Sequence, residues 1–249
     1  MNIIIAGYGF IGQELGRLFS KDKFEVYDPP RGMSIYPRLY DICFICVPTP
    51  QSKTGECNTS IVLSVPKKVK AKVYVCLSTI PPDIKIPNNM ICQPEYSASC
   101  SPYPAPLASI KDRNFIILGG LPKYTKIIRK FYETIYPPTT RIMETTSKTA
   151  RIIKYMENSF IATYVSFCNE FYDICKINKV DYNKVREGLL LDPRMLPWWT
   201  YVYENKRGWG GDCLPKDTAA IVYSSEKQGY SPELIKAVRR QNQNIQKSL

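Results

Sequence analysis

The feature that most constrains the fold is a glycine pattern between an apolar strand and a helix. Gly7, Gly9 and Gly12 form Gly-x-Gly-x-x-Gly directly after the apolar run at 2–6, where the helical pattern at 11–20 begins. The first glycine permits a tight turn, the second lets the backbone approach a pyrophosphate, and the third lets helix and strand pack closely. The helix N-terminus adds N–H donors and partial positive charge. The pattern predicts a dinucleotide-binding turn; the alternative is a glycine turn without a ligand.

Beyond this turn, apolar segments continue to alternate with helical patterns. Further strand-like runs, with helical patterns between several of them, lie at 24–27, 42–47, 73–77, 90–93 and 115–118. Such alternation indicates a parallel sheet that is covered by helices on both faces. We therefore predict a Rossmann-type, doubly wound α/β domain over residues 1–146.

An acidic residue at the end of the second strand bears on the choice of cofactor. Asp28 follows the glycines by roughly 20 residues, where a carboxylate can accept a hydrogen bond from a ribose 2′-hydroxyl. The same carboxylate would repel a 2′-phosphate, so NAD is favoured over NADP. Arg31 lies close by in the sequence and is an opposing signal.

The pattern changes after the α/β part of the chain. From Ser147 to about Asn178, apolar residues recur at helical spacing, and neither glycine nor proline interrupts them. A helix of about 30 residues is long for a globular domain, so we expect it to span two bodies or to form a dimer interface. We predict an all-helical domain over 147–249, and a homodimer through the helix at 147–178.

The composition excludes several reaction types. The chain of 249 residues contains no histidine, which rules out Ser-His-Asp triads, Cys-His dyads, His-ligated zinc and a histidine general base. The formal net charge of +12 suits an anionic partner. The densest lysine run, at 67–72, is typical of the solvated end of a helix, and we expect no nucleic-acid binding through it.

The cysteines and the hydropathy suggest a compartment. Most of the nine cysteines lie within apolar runs, as buried reduced thiols do in a reducing cytoplasm. The pair Cys43 and Cys46 has no second pair or histidine beside it, so we expect no metal site. No apolar run approaches the length of about 18–20 residues that a membrane span needs. The sequence therefore predicts a cytoplasmic protein that does not bind a membrane.

Two groups of polar residues in the helical part could carry chemistry. Cys213 follows a glycine-rich turn and opens a helix, where a thiol is accessible and its thiolate is favoured, and Lys216 and Asp217 follow within one helical turn. The alternative is a turn beside one more buried cysteine. Lys154 and Asn158 share one face of the long helix, which on its own is most often a solvated face.

Taken in order, the motifs resemble those of the UDP-glucose/GDP-mannose dehydrogenase family. The resemblance extends from residue 2 to the C-terminus, and its last motif, with cysteine followed by Lys-Asp, is highly specific. The matching segments are Gly7-Tyr-Gly-Phe-Ile-Gly12, Val47-Pro-Thr-Pro50, Leu77-Ser-Thr-Ile-Pro81, Pro94-Glu-Tyr96, Lys154…Asn158…Asn169-Glu170 and Gly208-Trp-Gly-Gly-Asp-Cys-Leu-Pro-Lys-Asp217.

The resemblance implies a four-electron oxidation in which a sugar C6 alcohol becomes an aldehyde and then a carboxylate, while two NAD are reduced. Cys213 would be the nucleophile that carries a thiohemiacetal and then a thioester. Lys154 and Asn158 would stabilise the oxyanion. Asp217 would position water, and Glu95 would transfer protons during thioester hydrolysis.

The resemblance also assigns binding residues. The cofactor-binding set implied is Gly7, Gly9, Phe10, Ile11, Gly12, Asp28, Val47, Pro48, Thr49, Ser78 and Thr79. The substrate-binding set implied is Arg194, Gly210 and Lys216, with Arg194 matching an arginine that often reaches across a dimer.

The sequence departs from the family pattern at several positions. Ser99 and Arg151 stand where family members usually carry acids, and Asp83 stands where they usually carry glycine. Family members also continue into a second α/β domain that grips the nucleotide, which we expect to be absent from this chain. The leading hypothesis is NAD-dependent oxidation of a UDP-glucose-like nucleotide sugar. The alternative is a catalytically impaired NAD-binding remnant with a structural or regulatory role.

Overall fold

In the computed structural model, which describes residues 1–19, 24–34, 37–96 and 109–247, seven strands form one sheet. The strands are β1 (Ile3–Ala6), β2 (Phe24–Tyr27), β3 (Leu39–Ile45), β4 (Lys70–Cys76), β5 (Met90–Cys92), β6 (Phe115–Gly119) and β7 (Arg141–Thr145). Their order across the sheet is β2-β1-β3-β4-β5-β6-β7. All neighbours are parallel except β5 and β6. The predicted fold class is confirmed, although the sheet is not purely parallel.

Helices cover both faces of this sheet. They include α1 (Phe10–Leu18), α2 (Ser60–Lys68) and α3 (Pro122–Tyr132). Because successive side chains of a strand point to opposite faces, the neighbours Ile4 and Ile5 belong to two different core clusters. Burial on both faces explains why the inner strands are continuously apolar rather than alternating.

The antiparallel joint between β5 and β6 is short and tightly packed. The two strands pair at one register position, Cys92 with Gly119. A Cβ atom on Gly120 would lie 2.5 Å from the side chain of Ile91, so the glycine is needed for this close approach. The pattern of the sequence gave no sign of β7, whose charged and half-exposed side chains are those of an edge strand.

The remaining elements are helical, as predicted. They are α4 (Ser147–Ile177), α5 (Tyr182–Leu189), α6 (Leu214–Lys227) and α7 (Glu233–Lys247). The long helix α4 has 31 residues, which confirms the helix expected from 147 to about 178. A small core of Ala162, Val165, Trp209 and Val238 joins α4, the loop before α6, and α7.

The chain divides into two compact units, and the boundary falls inside α4. Lys154 belongs to the first unit and Tyr155 to the second. The predicted domain boundary lies instead at the start of α4, and the assignment of a cofactor-binding and a catalytic domain stays a prediction. Within the described ranges, no helix combines the length and the apolar character that crossing a bilayer requires.

Candidate functional site

The turn between β1 and α1 has glycines where the backbone is crowded. Gly7 has a φ of +90°, and a Cβ atom there would lie 2.8 Å from the carbonyl group of Cys46. A Cβ atom on Gly12 would collide with the carbonyl oxygen of Gly7. Both glycines are therefore required to seat the start of α1 against the ends of β1 and β3.

Gly9 differs from these two glycines because it faces open space. It precedes the first residue of α1 with a φ of −73°, and no atom lies within 4 Å of a Cβ atom built there. Phe10 and Ile11 begin the helix, whose first-turn N–H groups have no partner within the helix itself. The turn thus offers an accessible set of donors where an anionic group could approach.

Asp28 lies beside this turn. Its Oδ2 accepts a hydrogen bond from the backbone N–H of Tyr8 at 2.8 Å, so the end of β2 is tied to the glycine pattern. The Nε atom of Arg31 is 3.6 Å from the same oxygen. Asp28, which favours NAD, and Arg31, which is the opposing signal, are therefore neighbours in the structure.

The ends of β3 and β4 are also joined. The hydroxyl of Ser78 donates to the carbonyl oxygen of Val47 at 2.7 Å, which links the turn at Val47-Pro48-Thr49 to Ser78-Thr79. Thr49 is buried. A small cavity next to this link is lined by residues that include Cys76, Ser78, Thr79, Cys92, Gln93, Arg151 and Lys154.

The structure explains the presence of an arginine at position 151. Its buried guanidinium donates to the carbonyl oxygens of Pro81 at 2.7 Å and Ile84 at 2.9 Å. These carbonyls flank Asp83, the position where the resemblance leads one to expect glycine. Arg151 therefore holds this loop in place, so two departures from the family pattern lie in one local arrangement. Ser99 lies outside the described residues.

Glu95 and Lys154 lie on either side of a local arrangement that includes Tyr96 and Arg113, of which Arg113 was not expected from the sequence. Glu95 forms a buried ion pair with Arg113, and its Oε1 also accepts from the backbone N–H of Tyr96 at 2.8 Å. The Nζ atom of Lys154 lies 4.7 Å from the centre of the Tyr96 ring, and the Arg113 guanidinium lies 5.1 Å from it. Arg113 follows Lys111 and Asp112 in a charged segment that is typical of a solvated loop, so its sequence gives no sign of burial.

In the second unit, Asn158, Lys216 and Asp217 come together. Asp217 is only 1% exposed, and its Oδ2 accepts from the Nδ2 of Asn158 at 2.6 Å. Its Oδ1 is ion-paired with Lys216. The backbone N–H of Asp217 donates to the carbonyl oxygen of Cys213 at 2.8 Å, which closes the first turn of α6. Cys213 is the N-cap residue of this helix and is exposed.

The glycine-rich loop before Cys213 is anchored to α4. The Oδ1 of Asn169 accepts from the backbone N–H of Gly208 at 3.0 Å, and the guanidinium of Arg207 forms an ion pair with Asp173 at 2.7 Å. Gly210 is exposed. Arg194 is placed on the surface, where it pairs with Asp192 at 2.6 Å.

Five of the other thiols lie in surroundings that disfavour a thiolate, whereas Cys213 is exposed. Burial raises the pKa of the thiols of Cys43, Cys46, Cys76, Cys92 and Cys168. A raised pKa keeps such a thiol protonated and unreactive at neutral pH. Among the described residues, no cluster of three or more cysteine or acidic side chains is arranged to hold a metal ion.

Comparison with known proteins agrees with this architecture. The model of the UDP-glucose/GDP-mannose dehydrogenase family, central domain, matches residues 148–244. The UDP-glucose 6-dehydrogenase TuaD of Bacillus subtilis is 31% identical over 222 residues, which cover 83% of this chain and 47% of that protein. The UDP-glucose 6-dehydrogenase AglM of Haloferax volcanii is 40% identical over 96 residues, which cover 39% of this chain and 22% of that protein.

Solved structures share the fold. A UDP-glucose dehydrogenase from Pyrobaculum islandicum matches with a TM-score of 0.79 and 22% identity, covering 98% of this chain and 68% of the other. A UDP-D-ManNAc dehydrogenase from Pyrococcus horikoshii matches with a TM-score of 0.76 and 21% identity, covering 98% and 69%. The chain spans about half the length of the curated relatives it matches. On these findings residues 148–244 match the central domain of the UDP-glucose/GDP-mannose dehydrogenase family, and the chain is similar to dehydrogenases of this type over more than four fifths of its length.

Proposed function

We propose that this protein catalyses the NAD-dependent oxidation of a nucleotide sugar of the UDP-glucose type, from the C6 alcohol to the carboxylate. The observation that carries the proposal is the exposed Cys213 at the N-terminus of α6, next to Lys216 and the buried Asp217 in the following turn, with Asn158 of α4 bonded to Asp217. The relatives named UDP-glucose 6-dehydrogenase support the choice of substrate class.

In this proposal Cys213 carries the substrate between the two oxidations. The alcohol first loses a hydride and a proton to give the aldehyde. The thiolate of Cys213 then adds to the aldehyde carbon, and the resulting thiohemiacetal oxyanion loses a second hydride to become a thioester. Water attacks the thioester, which releases the carboxylate and returns the thiol. Splitting the reaction in this way avoids release of a free aldehyde.

The contacts of the neighbouring groups support the roles that we propose for them. Asp217 is fixed by Asn158 and Lys216, so its carboxylate has a defined direction in which to orient water. We assign Lys154 and Asn158 to the oxyanion, as donors of which one is charged and one neutral. Glu95 would shuttle the protons of thioester hydrolysis, with Arg113 holding its carboxylate. Arg194 and Gly210 are exposed, as substrate-contacting groups must be before binding.

The glycine turn fits a dinucleotide. Gly9 leaves open space where a pyrophosphate would lie, Phe10 and Ile11 present helix N-terminal N–H groups, and Asp28 is at hand for a ribose hydroxyl. Val47, Pro48, Thr49, Ser78 and Thr79 would contact the nicotinamide half. When bound there, NAD accepts the hydride at each oxidation.

We also propose a homodimer through α4. This helix exposes large apolar side chains at helical spacing, among them Met156, Phe160, Phe167 and Ile174. Met156 is 74% exposed and Phe160 is 60% exposed, which is costly for a row of apolar groups left in water. Phe160→Glu and Phe167→Glu together would place like charges on the shared face. Analytical ultracentrifugation should show a dimer for the unmodified chain and a monomer for this variant; a monomeric unmodified chain would refute the proposal.

The test of activity is NADH formation, followed by its absorbance, with NAD and a panel of UDP- and GDP-sugars. The proposal expects two NADH for each sugar acid formed, and no turnover without the nucleotide sugar. If NAD raises the melting temperature but no sugar is oxidised, the impaired NAD-binding protein is the correct alternative. If NAD has no effect on the melting temperature, both functions are wrong.

A further inference from the structure

The last helix, α7, contacts the loop of Cys213 on both sides of the cysteine. Arg239, Asn242 and Gln246 are spaced three and four residues apart, so they lie on one face of α7. All three bond to the segment between Trp209 and Thr218.

Upstream of the cysteine, the contacts are made to the backbone of one residue, Trp209. The Oδ1 of Asn242 accepts from the backbone N–H of Trp209 at 2.7 Å, and its Nδ2 donates to the carbonyl oxygen of Trp209 at 2.9 Å. Gln246 donates to the same carbonyl at 2.9 Å. The indole N–H of Trp209 donates to Ser166 at 2.8 Å. A buried side-chain amide that satisfies both polar groups of one residue fixes the path of the loop, because breaking either bond leaves a buried polar group unpaired.

Downstream, the same helix holds the first turn of α6. The guanidinium of Arg239 donates to the carbonyl oxygen of Pro215 at 2.8 Å and to the hydroxyl of Thr218 at 2.7 Å. Leu214 packs against the core cluster that contains Trp209 and Val238. The four residues between Trp209 and Leu214 therefore form a short span anchored at both ends.

Asn242 lies very close to the backbone of Gly208. Its φ is +75°, and a Cβ atom there would collide with the Oδ1 of Asn242. Gly211 has the same φ but no atom within 4 Å of a Cβ atom. The crowding at Gly208 therefore comes from the amide on α7 and not from the turn alone.

We propose that α7 is the positioning element of the nucleophile loop, and that Asn242, assisted by Gln246 and Arg239, holds Cys213 at the N-terminus of α6. The proposal rests on the proposed function in that it gives Cys213 the role of nucleophile. These three residues touch the loop and not the reacting atoms, so they are positioning residues.

The test measures the alkylation rate of Cys213 by iodoacetamide, followed by peptide mass spectrometry. All variants are made in a Cys100→Ser background, because Cys100 lies outside the described residues. Burial raises the pKa of five other thiols, and these should react slowly. The variants are Asn242→Ala, Asn242→Asp and Gln246→Ala, and the matched control is Asn244→Ala on the exposed face of α7. Circular dichroism gives the melting temperature of each variant. The alkylation rate is then recorded as a function of pH at a temperature well below the lowest of these values.

We expect Asn242→Ala to slow alkylation at least about threefold, because the thiol leaves the helix N-terminus that favours the thiolate. Asn242→Asp keeps the acceptor for the N–H of Trp209 and should be intermediate. Gln246→Ala should slow the reaction less than Asn242→Ala does, and it covers the case in which Asn242→Ala fails to fold. Rates for Asn242→Ala and Gln246→Ala that equal or exceed the rate of Asn244→Ala would overturn the proposal.

A second measurement separates positioning from general stabilisation. Gly208→Ala should lower the melting temperature more in the unmodified chain than in Asn242→Ala, since the colliding oxygen is then gone. Additive effects of the two changes would count against a direct contact. Neither measurement needs NAD or a sugar, so failure of the proposed function and failure of this inference are distinguishable.

Discussion

The molecule has two glycine-rich turns, each of which leads into a helix, and they are built on different principles. In the turn at Gly7–Gly12, the glycines are needed because backbone meets backbone: Gly7 against Cys46, and Gly12 against Gly7. In the turn at Gly208–Gly211, side chains from α4 and α7 hold the backbone, through Asn169 and Asn242. The first turn is set by contacts between backbone atoms, whereas the second depends on side chains that two other helices supply.

The variant with the largest expected effect should abolish catalysis while NAD binding is retained. Cys213→Ser should lower NADH formation on the order of 10³-fold or more, because the hydroxyl is a far weaker nucleophile than the thiolate. The rise in melting temperature with NAD should stay as in the unmodified chain, since the first turn is untouched. Turnover within about tenfold of the unmodified chain would show that the second turn does not carry the nucleophile.

The next effect concerns crowding in the first turn. Gly12→Ala should lower the free energy of unfolding by about 2–4 kcal/mol, because the new Cβ atom would run into the carbonyl oxygen of Gly7 and the backbone must shift. Urea denaturation measures the loss, and NAD should no longer raise the melting temperature. Gly188→Ala is the control, since nothing lies within 4 Å of a Cβ atom at that helical glycine.

A smaller effect compares two glycines that both face open space. Gly211 has a φ of +75° and Gly9 a φ of −73°. Gly211→Ala should therefore cost about 1 kcal/mol of stability, whereas Gly9→Ala should leave stability unchanged and weaken NAD binding. Urea denaturation and calorimetric titration with NAD measure the two quantities. Equal stability losses for both variants would mean that backbone conformation is not what distinguishes the turns.

The smallest effect is a pH dependence of the helix that follows the first turn. Glu14 on α1 is buried; burial raises its carboxyl pKa, but hydrogen bonds from Ser109 and Arg17 outweigh this and lower it overall. A lowered pKa contributes stability that is present above the unfolded pKa of about 4.5 and is lost as the pH falls through the native pKa. Glu14→Gln should flatten the fall in melting temperature below that pH, whereas Asn244→Ala, which introduces no titratable group, should not.

The same contrast explains what the sequence could predict. The first turn, the strands of the inner sheet and the long helix were predictable, because each follows from glycine spacing or apolar periodicity within a short segment. Arg113 could not be found in this way, because its burial arises when β6 brings it to Glu95. Asn242 was also missed, because a polar residue on the last helix reads as solvated until its partner at Trp209 is known. The antiparallel pairing of β5 with β6 was not predicted, because the sequence of so short a strand does not indicate its direction.

That joint has a consequence for how the sheet comes apart. A single residue pair, Cys92 with Gly119, connects five parallel strands to β6 and β7 through the backbone ladder. The remaining attachment is made by side chains, among them Ile91, Leu118 and Tyr132 in one core cluster. The ring of Phe131 on α3 also packs against those of Phe19 and Phe44. In folding terms, side-chain packing rather than the backbone ladder couples β6, β7 and α3 to the other five strands, so we expect the two parts of the sheet to unfold together.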